Sequence, residues 1–282
     1  MSAKKPVPKE SPPPAARIER LRRRSGLCSR VAVKKEAVTE KLQKVLARAG
    51  YGSRRELERW IAADRVRVNG DRAVLGMRVT ARDVIQVDGK RVERRELGRQ
   101  PVRCLRYHKT VGELCTRRRD SDRATVFDKL PELKRGRWIA VGRLDLNSSG
   151  LLLFTNDGGL AHQVMHPSSN LVREYAVRVR GEVSADSIQR LRRGVQLEDG
   201  PGKFDTVIEK GGQGVNHWYH VTIREGRNRE VRRLLASQGA EVSRLTRVRY
   251  GPISLPRSLP RGRWDELSKR QVATLMKAVS EK

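Results

Sequence analysis

The residue with the most chemistry available to it is Asp145, in the segment Gly142-Arg143-Leu144-Asp145-Leu146-Asn147-Ser148-Ser149-Gly150-Leu151-Leu152-Leu153-Phe154-Thr155-Asn156-Asp157-Gly158. A carboxylate can attack an electrophilic carbon or remove a proton. Ile139 to Val141 is a short apolar run, Arg143 to Gly150 is polar and rich in Asn, Ser and Gly, and Leu151 to Thr155 is apolar and closed by Asn156-Asp157-Gly158. That pattern predicts a loop held between two core strands, a place where scaffolds present reactive groups. Taken alone, the spacing favours a plainer role for Asp145 as a turn cap.

Other chemistry-bearing residues are weaker candidates. His162 and His166 are four apart and can share a helix face, but they lack the Glu of His-Glu-x-x-His and a third ligand, so no metal site is expected. Gly211-Gly212-Gln213-Gly214 lacks the Lys-Ser/Thr of a phosphate loop and reads as a turn. Cys28, Cys104 and Cys115 have no metal-ligand spacing, and their odd number argues against a disulfide framework. A reducing, cytoplasmic setting is expected.

The elements that must position these residues follow from periodicity. Leu42, Val45, Leu46 and Ala49 have helical spacing, stopped at Gly50. Ser53 and Glu56 form a capping box ahead of a helix with Leu57, Trp60 and Ile61 on its apolar face. Val66 and Val68 lead into Asn69-Gly70, and Val84, Ile85 and Val87 into Asp88-Gly89, both hairpin turn signals. From Pro101 onward short strands alternate with helices. Tyr175, Val177 and Val179 mark one strand, and His217 to Ile223 and Ser243 to Tyr250 two more. Ser184 caps a helix reaching Arg193, and Arg229 to Gln238 is a helix stopped by Gly239. The pattern is α+β with a mixed or mostly antiparallel sheet.

Charge points to the partner. The chain has 282 residues and a formal net charge of +30. Residues 1–39 hold 11 Lys/Arg against 3 Asp/Glu, and residues 40–95 hold 15 against 8, together half of the excess. A polyanion is the expected partner. No apolar run approaches the roughly 20 residues of a membrane span, and no membrane partner is expected. Residues 1–39 read as a disordered basic tail, 40–95 as a compact basic module, 96–100 as a linker and 101–282 as the body that carries the chemistry.

Three ordered motifs carry a resemblance: the Gly142–Gly158 segment, Arg173-Glu174-Tyr175-Ala176-Val177, and Glu225-Gly226-Arg227-Asn228-Arg229-Glu230-Val231-Arg232-Arg233-Leu234. From about Glu40 to near the C-terminus the chain resembles the bacterial pseudouridine synthases of the RsuA/RluB/RluE/RluF type. The module at 40–95 resembles an S4 RNA-binding domain. The resemblance implies a synthase core on a bent mixed or antiparallel sheet, with no cofactor and no metal. It places the catalytic carboxylate at Asp145, its basic partner at Arg232 and a base-contacting phenol at Tyr175. It gives Arg143 the space left by a flipped base, and Leu245 the apolar floor of the uracil pocket. Lys41, Lys44, Arg48, Arg54, Arg55 and Arg59 would meet RNA phosphates, which position the protein rather than specify sequence.

The segments Glu40–Gly50, Gly112–Thr116, Arg137–Val141, Gly194–Gly200 and Glu225–Arg232 are nearest to the branch acting on the large ribosomal subunit. That implies isomerisation of one uridine of 23S ribosomal RNA near the peptidyl transferase centre. Free 23S rRNA or a large-subunit assembly intermediate would be the partner, and the protein a monomer. The alternatives are a sister synthase acting on another rRNA uridine, or a non-catalytic RNA-binding assembly factor.

Overall fold

The computed structural model describes residues 39–98, 100–117 and 122–280. The tail expected at 1–39 therefore lies, but for Thr39, outside the described residues.

Helix α1 (Leu42–Ala49) buries Leu42, Val45 and Leu46 and ends at Gly50, whose φ of 103° only glycine adopts without strain. Helix α2 (Arg54–Ala62) starts at the expected capping box. Ser53 Oγ accepts from the Glu56 amide at 3.1 Å, and Glu56 Oε2 accepts from the Ser53 amide at 3.1 Å. The two helices pack over a four-stranded sheet, with Leu57, Ile61, Val66, Ile85 and Val87 in the shared core. A short helix α3 (Arg94–Leu97) enters the stretch expected as linker. It is anchored rather than free: Arg48 donates to the Leu97 carbonyl at 3.0 Å, and Tyr51 Oη to Glu96 at 3.0 Å.

The larger body is built on β1 (Cys104–Lys109), β2 (Ile139–Val141), β3 (Ser149–Thr155), helix α4 (Gly158–Met165), β4 (Arg173–Arg180), α5 (Ala185–Arg193), β5 (Thr206–Gln213), β6 (Asn216–Ile223), α6 (Glu230–Ala236), β7 (Glu241–Tyr250), β8 (Ile253–Ser254), β9 (Trp264–Glu266) and α7 (Lys269–Ser280). The sheet runs β5-β6-β4-β7-β3-β1-β9, with β2 added to β3 and β8 to β7. Every pairing is antiparallel except β7 with β3, which is parallel and only two residue pairs long, Thr246 with Ser149 and Arg247 with Gly150. The sheet is thus mixed, as expected, and this short join links its two halves.

Strand β3 reads as a continuous apolar run because both its faces are covered. Leu151 and Leu153 join Leu160, Val164, Val272 and Leu275 from α4 and α7. Leu152 and Phe154 join Leu105, Tyr107, Val126 and Trp138 in the largest core cluster. Helix α6 is shorter than its periodicity predicts, since Arg229 has φ 47° and starts the helix only at Glu230.

Candidate active site

Asp145 lies in the loop between β2 and β3, as the apolar runs on either side predict. It borders a cavity of about 310 Å³ together with Arg143, Tyr175, Leu245 and Arg247. That volume is on the scale of a site for one small ligand, about 300 Å³ and upward. Tyr175, in mid-β4, is opposite Val221 of β6 and Arg247 of β7. Leu245 is opposite Val177. Directly opposed residues of antiparallel strands project to the same face, so Tyr175, Leu245 and Arg247 form one floor, beside the fully buried Val177. Arg143 is exposed at its rim.

Arg232 is not in the cavity wall. Its Nη1 donates to the Val242 carbonyl at 2.8 Å and its Nη2 to the Asn147 carbonyl at 2.9 Å. It thereby ties the Asp145 loop to β7, rather than gripping the carboxylate through two bonds. Among the described residues no ion pair closes on the Asp145 carboxylate. Burial pushes the Arg232 pKa down and Arg229 adds to that shift, while the nearby negative charge of Asp145 opposes it. The two groups are thus electrostatically coupled without touching.

Lys109 lies beneath the Asp145 loop, and the motifs did not point to it. It is fully buried, and its ammonium donates to the carbonyls of Thr110, Asp145 and Ser148 at 2.9, 3.1 and 2.9 Å. Burial lowers its pKa, with Cys115, Glu113 and Asp145 opposing. A cation with three donors suits a loop whose carbonyls turn inward. Lys109→Met should leave those carbonyls unsatisfied, at about 1–3 kcal/mol for each buried group. Thermal unfolding should register the loss, and single-turnover rates should fall more than RNA affinity; equal falls would contradict a loop-positioning role. The sequence did hold a signal: Lys109 is in phase with the buried Leu105 and Tyr107 of β1.

Two more cations were missed in the same way. Arg173 is in phase with Tyr175 and Val177, and Arg247 with Leu245. Arg173 donates to the carbonyls of Leu171, Arg224 and Glu225 and to Tyr250 Oη. Arg227, in the third motif, is held by Glu230 and Asp199, and Arg233 clasps Asp199 through two 2.8 Å bonds. These two arginines build the motif's own structure.

The six basic residues expected to meet RNA divide into two groups. Lys41, Arg54, Arg55 and Arg59 are exposed. Arg48 is held by Glu40 at 2.7 Å and by Leu97, and Lys44 pairs with Glu40 at 3.3 Å. Burial raises the Glu40 pKa, but Arg48 and Lys44 outweigh it and the net shift is downward. Arg48 is therefore a structural residue of the module. Arg54 and Arg55 border a groove of about 500 Å³ with Arg137 and His162. Burial lowers the Arg137 pKa, Glu56 opposes, and Arg54 adds to the shift. The imidazoles of His162 and His166 pack edge-on, with ring centroids 5.4 Å apart. Among the described residues no cluster of three His, Cys, Asp or Glu is arranged to hold a metal, and no helix is long and apolar enough to cross a membrane.

Comparison with known proteins agrees with this geometry. Residues 103–237 match the RNA pseudouridylate synthase family and residues 40–85 the S4 domain. The chain is 57% identical over 244 residues to ribosomal large subunit pseudouridine synthase B of Escherichia coli (strain K12), covering 86% of this chain and 84% of that one. It is 58% identical over 236 residues to the protein of the same name in Salmonella typhimurium, covering 83% and 81%. With the Pseudomonas aeruginosa protein of that name it shares 56% over 246 residues, 87% of this chain and 64% of that protein's length. A crystal structure of a pseudouridylate synthase superposes with a TM-score of 0.58 at 23% identity, covering 83% of this chain and 99% of that one, which shows a shared fold. The chain belongs to the RNA pseudouridylate synthase family, with an S4 domain ahead of its synthase domain.

Proposed function

We propose that this protein isomerises one uridine of 23S ribosomal RNA, near the peptidyl transferase centre, to pseudouridine. The observation that carries the reading is the Asp145 carboxylate, half-buried and without an ion-pair partner among the described residues, in a one-ligand cavity floored by Tyr175 and Leu245. The substrate name comes from the relatives in three bacteria, each named for the large ribosomal subunit.

A uridine within folded RNA must leave its stack to enter such a cavity. Arg143, exposed at the rim, fills the space it vacates. Tyr175 packs against the base and Leu245 excludes water beneath it. Asp145 then either attacks C1′ or removes the proton from C2′; in both routes the C1′–N1 bond breaks and its electron pair stays on the base. The base turns and C5 bonds to C1′ as the Asp145–C1′ bond breaks or, in the other route, as C2′ regains its proton; the C5 proton is then lost and N1 gains one. No redox change or external group enters, so the chain needs no cofactor. Lys109 and Arg232 hold the loop that carries Asp145, and no step needs a second copy of the chain. Purified protein incubated with unmodified 23S rRNA should convert a single uridine; absence of any pseudouridine would overturn the reading.

The S4 module and the groove beside it supply grip. Replacing Arg54, Arg55 and Arg137 by Glu should weaken rRNA binding. The slope of log affinity against log salt should become shallower by about 0.7–0.9 for each phosphate no longer neutralised. An unchanged slope in a salt titration would remove these residues from the RNA path.

A further inference from the structure

Arg247 is the most unusual group in the cavity. Its residue is only 3% exposed. One nitrogen, Nε, donates to the Leu151 carbonyl at 2.8 Å, while Nη2 is buried and has no hydrogen-bond partner. No acidic side chain pairs with it among the described residues. Its guanidinium carbon lies 5.0 Å from the Tyr250 ring centroid, and that of Arg173 lies 4.8 Å from the same ring. Arg173 is completed by three carbonyls and the Tyr250 hydroxyl, whereas Arg247 is a buried guanidinium with neither a neutralising carboxylate nor a full set of acceptors, which is costly to keep unless an anion or a polar acceptor completes it. Buried donors without partners are uncommon in native proteins, and each calls for a physical account.

The register shows where that acceptor belongs. Arg247 is opposite Tyr175 in β4 and beside Gly150, five residues after Asp145. The donor is therefore on the cavity floor next to the ring expected to pack on the base, on the strand that pairs with the one following the Asp145 loop. Cleavage of C1′–N1 leaves its electron pair on N1, and conjugation spreads that charge onto the two uracil carbonyl oxygens. A fixed cationic donor in a dry site is well suited to the oxygen on which charge develops.

We infer that Arg247 is a catalytic residue whose guanidinium donates to a carbonyl oxygen of the flipped uracil and stabilises the detached uracil anion. The inference rests on the pseudouridine-forming reading above. It leaves the role of Asp145 unchanged and adds an electrophile on the opposite side of the breaking bond. Charge and atoms balance: the sugar carbon is taken by Asp145 or forms a double bond after losing its C2′ proton, the base carries the electron pair, and Arg247 keeps its proton throughout.

The test compares uridine with 5-fluorouridine at the target of the same RNA, since fluorine makes the base a better leaving group that needs less stabilisation. Single-turnover cleavage of C1′–N1 is measured for wild type, Arg247→Gln and Arg247→Lys, alongside RNA affinity and thermal unfolding. On uridine Arg247→Gln should lose about 10²–10³-fold, the scale of one removed oxyanion donor. Its loss on 5-fluorouridine should be clearly smaller, and Arg247→Lys should restore part of the rate, with affinity unchanged. Equal losses on the two substrates, or a loss explained by affinity, would assign Arg247 to packing and overturn the inference. If Arg247→Gln does not fold, the substrate comparison is decided by Arg247→Lys, whose loss must also shrink on 5-fluorouridine. A wild-type protein that leaves uridine unconverted would overturn the functional reading itself.

Discussion

Asp145→Asn should abolish conversion of uridine while leaving rRNA affinity and thermal stability near wild type. The substitution keeps the shape of the side chain and removes only its charge and nucleophilicity. The loop's hydrogen bonds do not use that carboxylate: its hold is through backbone carbonyls, those of Asp145 and Ser148 to Lys109 and that of Asn147 to Arg232. The single-turnover rate should fall on the order of 10⁴-fold or more, as when a group central to the chemical step is removed. A variant that binds RNA and makes no product separates a catalytic carboxylate from a turn cap. A fall in stability with retained activity would restore the turn-cap role.

Gly150→Ala should be the most damaging single-methyl change in the sheet. Gly150 has φ +104°, and a Cβ there would stand 2.3 Å from the Arg247 carbonyl oxygen and 2.6 Å from its amide nitrogen. Both contacts are with backbone, so no side-chain rotation relieves them. The parallel join of β3 to β7 consists of only two residue pairs, one of them Arg247 with Gly150. Opening it moves the floor residue Arg247 and the loop bearing Asp145 together. The backbone strain alone is about 1–3 kcal/mol, and for a domain of this size each kcal/mol lowers the melting temperature by roughly 2–4 °C. The steric clash adds to that, so the melting temperature should drop by more than the strain alone accounts for, with activity lost as well. Gly181 has φ +83° but open space around its Cβ position. Gly181→Ala should therefore show only the left-handed penalty of about 1–2 kcal/mol and normal activity. Similar melting temperatures for the two variants would contradict the close-approach argument.

Much of this arrangement was legible in the chain because its local rules agree with its fold. The capping box at Ser53, the glycine stop at Gly50 and the apolar run of β3 each depend on neighbours in sequence, and each appears where periodicity puts it. The cavity wall brings together Arg143, Asp145, Tyr175 and Leu245, four of the residues that motif resemblance had grouped. What was not legible depends on pairing across the sheet. A single strand does not show that Arg247 will face Tyr175, or that Lys109 will meet the carbonyls of a loop 36 residues away. Their in-phase positions on otherwise apolar strand faces were the available signal. Arg232 illustrates the converse limit. A motif can select the residue without giving its hydrogen bonds, and here the guanidinium braces the loop instead of pairing with the acid. Similarly, a basic helix face does not reveal that Arg48 is already held by Glu40 while Arg54 is exposed.

The central claim, that Asp145 of this chain makes pseudouridine in 23S rRNA, has one direct measurement. Pseudouridines are mapped across 23S rRNA from cells lacking the protein and supplied with either the wild-type chain or Asp145→Asn. One uridine near the peptidyl transferase centre should be pseudouridine with the wild type and plain uridine with the variant. Modification at that position with both chains, or at no position that depends on the wild type, would contradict the account.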